Sequence, residues 1–182
     1  AEYPVAVVVE SGETFARADT VLRPVFAAKA SGIQADGDLA DWTGARWIAL
    51  GADHLSKVFT PGLAHGGADD LSAKVAVAWT DDAMAVAIEV ADDAHSPGEA
   101  PSLAWQGDCV QLYFDPRNDA MVERRNAEDD LEYRVSLIDG KAHVWLGKGA
   151  EGNYRGAANR VDGFEDVDAA CAIVRKGRTT VY

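Results

Sequence analysis

The sequence predicts an all-β fold, an antiparallel β-sandwich, and three observations carry that expectation. No segment sustains an apolar repeat at helical spacing. Several runs alternate with period two instead, as half-buried strands do: Val110, Leu112 and Phe114 oppose Cys109, Gln111 and Tyr113, and Leu131, Tyr133, Val135 and Leu137 oppose Glu132, Arg134 and Ser136. Short turn signals separate the runs, among them Thr80-Asp81-Asp82, Asp139-Gly140 and Lys176-Gly177.

Taken in order, residues 1–31 read as a lead-in, a linker or an edge strand. Val5 to Val9 is a β-branched run broken by Ser11-Gly12, and Val21 to Ala28 is a second extended piece interrupted by Pro24. Proline inside such a run confines it to a sheet edge or to no sheet. Residues 32–182 are expected to be the sandwich. Ile33 to Trp42 gives a strand end, an Asp-Gly turn and a short helical turn, and its aspartates Asp36, Asp38 and Asp41 read as turn formers. They do not follow a calcium-loop spacing, since the sixth position counted from Asp36 is Asp41 and the twelfth is Trp47. Ala73 to Trp79 and Ala83 to Ala91 read as a hairpin with one face of valine, isoleucine, methionine and tryptophan. Its other face is alanine, so something must pack closely there.

A loop then leads to Trp105 and the strand ending at Asp115; residues 116–130 are a polar excursion. Leu131 to Ile138 turns at Asp139-Gly140 into Lys141 to Leu146, and 147–163 is a glycine-rich loop. Ala169 to Val174 and Arg178 to Tyr182 form the last hairpin. It reaches Tyr182 in mid-strand, so further strands, from this chain or another, are expected to complete the sheet.

The net charge of −13 argues against nucleic acid or an anionic membrane surface as partner, because both need a basic patch, and the clustered Arg124 and Arg125 sit in an acidic stretch. No apolar run is long enough to span a bilayer. Cys109 and Cys171 are too few for a disulfide framework and read as buried free thiols.

If the strands around Gln111 and Arg134 are neighbours, the two side chains share a face, with Trp105 and its following polar turn (including Asp108) close by. Trp145 lies on the Lys141/His143 side of its strand and can flank the same face. An aromatic plate beside a guanidinium and an amide suits a sugar: the C–H face of the ring packs on the indole while the hydroxyls take directional hydrogen bonds. Trp42, Trp47 and Trp79 read as core.

I-x-x-D-G-D-L-x-D-W, D-L-S-A-K-V-x-V-A-W-x-D-D, V-x-D-D-x-H-S-P and W-x-G-D-x-V-Q-L-Y-F-D occur here in that order. From Ile33 onward the chain thereby resembles the family 9 carbohydrate-binding modules and their DOMON-like relatives. The resemblance implies a non-catalytic β-sandwich that binds polysaccharide or oligosaccharide. It also implies one module of a larger secreted or cell-surface protein, such as a glycoside hydrolase. By position, Trp105 corresponds to the family's first stacking tryptophan and Arg134 to its sugar-binding arginine. Gln111 stands where the family often has glutamate, which weakens the grip on a reducing-end hydroxyl pair. The second stacking tryptophan has no counterpart within the sequence. Calcium is the ion the family allows, with no ligands assigned to it here.

The competing reading is a structural or interaction module that kept the sandwich and lost the sugar site. Related sandwiches also bind haem b through methionine and histidine, which directs attention to Met84, Met121 and the histidines. Gly147 to Gly152 matches G-x-G-x-x-G but lacks the helix that would hold a pyrophosphate. His54, His65, His95 and His143 show no zinc spacing; His95, after two aspartates and before Ser-Pro, is expected to fix a loop.

Overall fold

The computed structural model describes residues 27–50, 66–116, 130–148 and 163–182, together with the backbone of two strands near the start of the chain. Those two, β1 (Tyr3–Ser11) and β2 (Thr14–Leu22), pair with each other in an antiparallel hairpin. The expectations concerning His54, His65, Met121, Arg124, Arg125 and the glycines at 149 and 152 fall outside the described residues.

The remaining strands form two sheets, as the sequence predicts. One contains β7 (Val110–Phe114), β8 (Leu131–Ile138), β9 (Lys141–Lys148) and β10 (Phe164–Glu165), in the order β10-β9-β8-β7 and antiparallel throughout. The other contains β3 (Ala28–Lys29), β4 (Ile48–Leu50), β5 (Leu71–Trp79), β6 (Met84–Asp92), β11 (Val174–Lys176) and β12 (Thr179–Val181). Its order is β11-β12-β6-β5-β3, with β4 also on β5.

The turns follow their side chains. Asp139 (φ 51°) and Gly140 (φ 73°) both take positive φ, which the tight β8–β9 hairpin requires and which Asp-Gly tolerates. In the β5–β6 turn the Thr80 N–H donates to the Ala83 carbonyl at 2.8 Å, and the Ala83 N–H donates to Thr80 Oγ1 at 3.0 Å. Between Ile33 and Trp42 the aspartates act as turn formers. Asp36 accepts the Asp38 N–H at 2.8 Å, Asp38 the Ala40 N–H at 3.0 Å and Asp41 the Gln34 N–H at 3.1 Å.

The alanine face of the β5–β6 hairpin has its partner in this same stretch. A 3-10 turn, η1 (Ala40–Trp42), plants Trp42 on Ala76, Ala78 and Ala87, all buried, with Ile33, Leu39 and Trp47 around them. Small side chains let an indole lie close to the sheet, and truncating such a buried ring costs about 3–5 kcal/mol. The Trp47 ring lies 6.3 Å from that of Trp42, and Lys74 Nζ stands 4.9 Å from the Trp47 centroid. Trp79 departs from its expected core position. It ends β5 beside the turn, is 43% exposed, and has Lys29 Nζ 5.1 Å above its ring.

The opposite face of that sheet, with Ile88, Val90, Thr180 and Tyr182, looks toward Val110, Leu112, Tyr133, Val135 and Val144 of the four-stranded sheet. The Phe114 and Tyr133 rings meet edge to face at 6.0 Å. The outward face of the four-stranded sheet is the one that carries Gln111 and Arg134.

Candidate functional site

Register decides what shares that outward face. Gln111 is the direct partner of Arg134, Arg134 of Trp145, and Trp145 of Glu165, so these four side chains form one row across β7, β8, β9 and β10. Trp105 comes from a second 3-10 turn, η2 (Pro101–Gln106), started by a proline that suits the first helical position. η2 lies over β8 and β9 on this same side, because the Arg134 Nη1–H donates to the carbonyl of Ser102 at 2.9 Å. Its buried Ala104 anchors it, and the Trp105 indole is 54% exposed.

Arg134 is tightly held. Its Nε–H donates to Glu132 Oε1 at 2.8 Å, with only 19% and 15% of the two side chains exposed. The guanidinium lies flat on the backbone of Gly147, where a Cβ would come within 3.0 Å of Nη2 and 3.1 Å of Cζ. The first glycine of the G-x-G-x-x-G stretch is thus explained by its approach to Arg134. Among the described residues none accepts a hydrogen bond from Nη2.

Gln111 is exposed, and its Oε1 accepts the Tyr113 hydroxyl at 3.0 Å. The Tyr113 ring, two residues along the same strand, is 58% exposed. Desolvation, and after it the Glu132 carboxylate, raises the Tyr113 phenol above its ordinary range, so it remains a neutral donor at physiological pH. Burial also raises the Cys109 thiol, against a smaller opposing effect from its hydrogen bond to Gln111. Both cysteines are free, as expected, but each is half-buried rather than buried.

The structure therefore sets Gln111, Arg134 and Trp145 in one row, ties Arg134 to the turn that exposes Trp105, and adds Tyr113, Glu132 and Gly147 to the set. Tyr113 and Glu132 were within reach of sequence reasoning, being two residues from Gln111 and Arg134 on the same faces. Gly147 was not, because its role depends on the register of β8 against β9.

Asp108 is engaged elsewhere. Its Oδ2 accepts the Ser96 N–H at 2.5 Å and lies 3.4 Å from His95 Nδ1, while His95 Nε2 lies 3.0 Å from the carbonyl of Leu137. His95 thus fixes a loop, by tying the 92–97 segment to β8. Asp92, His95 and Asp108 place one ligand atom each within 4.8 Å of one another. Their chemistry does not fit calcium, which takes a shell of oxygens. The donors are also already committed: Asp92 Oδ1 accepts the Ala94 N–H at 3.2 Å and Oδ2 faces Arg175 Nη1 at 3.5 Å. Met84 lines the space between the sheets, but no histidine joins it among the described lining residues; His143 pairs with Glu165 at 2.9 Å on the outward face. The described residues supply no methionine–histidine pair for haem.

The described strands form a two-sheet, mainly antiparallel sandwich with exposed aromatics beside fixed polar groups on one outer face. Residues 41–165 match the model of the carbohydrate family 9 binding domain-like family, and the chain belongs to that family. No curated protein and no solved structure matches the chain significantly.

Proposed function

We propose that this protein is a non-catalytic carbohydrate-binding module holding a glycan on the outer face of the four-stranded sheet. In this reading a pyranose stacks on Trp105, while Gln111, the Tyr113 hydroxyl and Arg134 Nη2 meet its hydroxyls, and Trp145 and Glu165 bound the far side of the row. The observation that carries it is the direct Gln111–Arg134 pairing, with Arg134 tied to the turn that exposes the Trp105 indole. Residues 32–182 would act as the module, with residues 1–31 leading in, within a larger extracellular or cell-surface protein that processes glycans.

The test is intrinsic tryptophan fluorescence titrated with glucose, cellobiose and xylo-oligosaccharides, repeated by calorimetry. A saturable change in the millimolar range or below, weakened about tenfold or more in Trp105→Ala, supports the reading, since one aromatic contact contributes on the order of 1–2 kcal/mol. No saturation with any of these sugars, or an equal response in Trp105→Ala, rejects it.

One observation favours the second reading, a structural or interaction module without sugar binding. The Arg134 guanidinium is braced by Glu132, Ser102 and Gly147, so two of its five N–H donors and its position already serve the fold.

A further inference from the structure

The Gln111–Arg134 pair is one-sided in its hydrogen bonding. The carboxamide of Gln111 is fixed at both ends by its own strand. Oε1 accepts the Tyr113 hydroxyl at 3.0 Å. The nitrogen end turns the other way, toward Cys109: burial raises that thiol and the hydrogen bond to Gln111 partly offsets the rise, the effect of an N–H aimed at the sulfur. A carboxamide nitrogen carries two N–H groups, so one remains, on a side chain exposed to water.

Arg134 stands directly opposite, and side chains paired in this way on one face have Cβ atoms about 5 Å apart. Nε donates to Glu132 Oε1 and Nη1 to the Ser102 carbonyl, so the guanidinium cannot turn, and Nη2 is the arm left. Gly147 makes room for that arm, since a Cβ there would stand 3.0 Å from Nη2. The acceptors beside the pair are in use: Tyr113 holds Gln111 Oε1, and Arg134 holds Glu132 Oε1 on a side chain only 15% exposed. What the pair offers a ligand is therefore N–H groups from two neighbouring side chains.

Sugar oxygens differ in how well they answer such donors. A hydroxyl donates as well as accepts, and its own proton would meet donors here. A carboxylate takes two parallel N–H groups of one guanidinium fork, but each edge of the Arg134 fork already has an arm committed. Glu132 also offsets the Arg134 charge at 2.8 Å, and the chain as a whole carries −13. An acetamido carbonyl accepts through two lone pairs, brings no charge and needs no acceptor in return. The exposed Tyr113 ring beside Gln111 gives the acetyl methyl an apolar surface.

We infer that the Gln111–Arg134 pair reads the acetamido group of an N-acetylhexosamine, whose carbonyl oxygen accepts from Gln111 Nε2–H and Arg134 Nη2–H while the pyranose lies on Trp105. The inference rests on the carbohydrate-binding reading above and narrows it to glycans that contain N-acetylated amino sugars.

The test is calorimetric titration of the intact protein with cellobiose and with N,N′-diacetylchitobiose, which differ only in carrying hydroxyl or acetamido groups at the 2-positions. Diacetylchitobiose is expected to bind about tenfold or more tightly, because the other sugar leaves two donors without a pure acceptor. Gln111→Glu exchanges the N–H donor for an acceptor oxygen and is expected to bring the two affinities within about threefold of each other, whatever it does to each. Trp105-dependent binding of cellobiose with diacetylchitobiose no tighter overturns the inference and leaves the carbohydrate-binding reading in place. Failure of both sugars to bind removes the two together. A preference unmoved by Gln111→Glu would assign it to other residues and overturns the inference. So does glucuronate binding about tenfold more tightly than glucose, which would make the pair a carboxylate site.

Discussion

Replacing Arg134 with methionine tests how much of the outer face is scaffold. Methionine keeps most of the aliphatic length of the side chain and removes the guanidinium, with its bonds to Glu132 at 2.8 Å and to the Ser102 carbonyl at 2.9 Å. A hydrogen bond to a charged group is worth about 1.5–3 kcal/mol. Breaking a fully buried ion pair by deleting one partner costs about 3–5 kcal/mol, because the other charge is left stranded. With 19% and 15% of the two side chains still facing water, the lower end applies, and Arg134→Met is expected to cost about 3 kcal/mol. In a domain of this size that lowers Tm by about 6–12 °C.

Glu132→Gln removes the charge but keeps an acceptor for Nε–H, and should cost about 1 kcal/mol. The double variant removes the stranded charge as well, so its loss should fall short of the sum by about 1–2 kcal/mol. Urea denaturation followed by tryptophan fluorescence measures all three. Additivity within about 0.5 kcal/mol would mean that the two groups do not brace each other, and the account of how this face is held would fail.

The remaining expectations concern other parts of the molecule. Burial first, and then the nearby Asp108, pushes the Tyr182 phenol up to about 12. Its proton is held more tightly in the folded than in the unfolded chain, so the associated stability is whole below pH 10 and declines as pH rises toward 12. Tyr182→Phe should flatten that alkaline decline, and an unchanged slope in denaturation measured from pH 9 to 12 would count against it. Asp38→Asn keeps an acceptor for the Ala40 N–H and should change stability by less than about 0.5 kcal/mol, whereas Asp38→Ala should cost about 1 kcal/mol. If instead added calcium raises Tm and Asp38→Asn abolishes the rise, the turn-forming account is wrong. Burial raises both the Cys109 and the Cys171 thiols, so at pH 8 a disulfide reagent should label them at least about tenfold more slowly in native buffer than in urea. Native labelling as fast as in urea would show the two thiols to be accessible.

Much of the architecture was determined by the sequence itself. Alternation is a local signal, and a side-chain period of two commits each strand to one inward and one outward set whatever lies beside it. The faces of β7 and β8, the Asp-Gly turn at 139–140 and the alanine face awaiting a partner were all legible for that reason. So was the candidate pair, because Gln111 and Arg134 each stand on a polar face. What the local signal lacks is register and long-range packing. Only the folded chain sets Gln111 opposite Arg134 and Arg134 opposite Trp145, lays Trp42 on the alanines, commits Asp108 to Ser96 and His95, and leaves Trp79 half in water under Lys29. Those outcomes depend on which strands become neighbours and how far each slides along the next, and a slip of one residue would reverse every face while leaving the alternation unchanged.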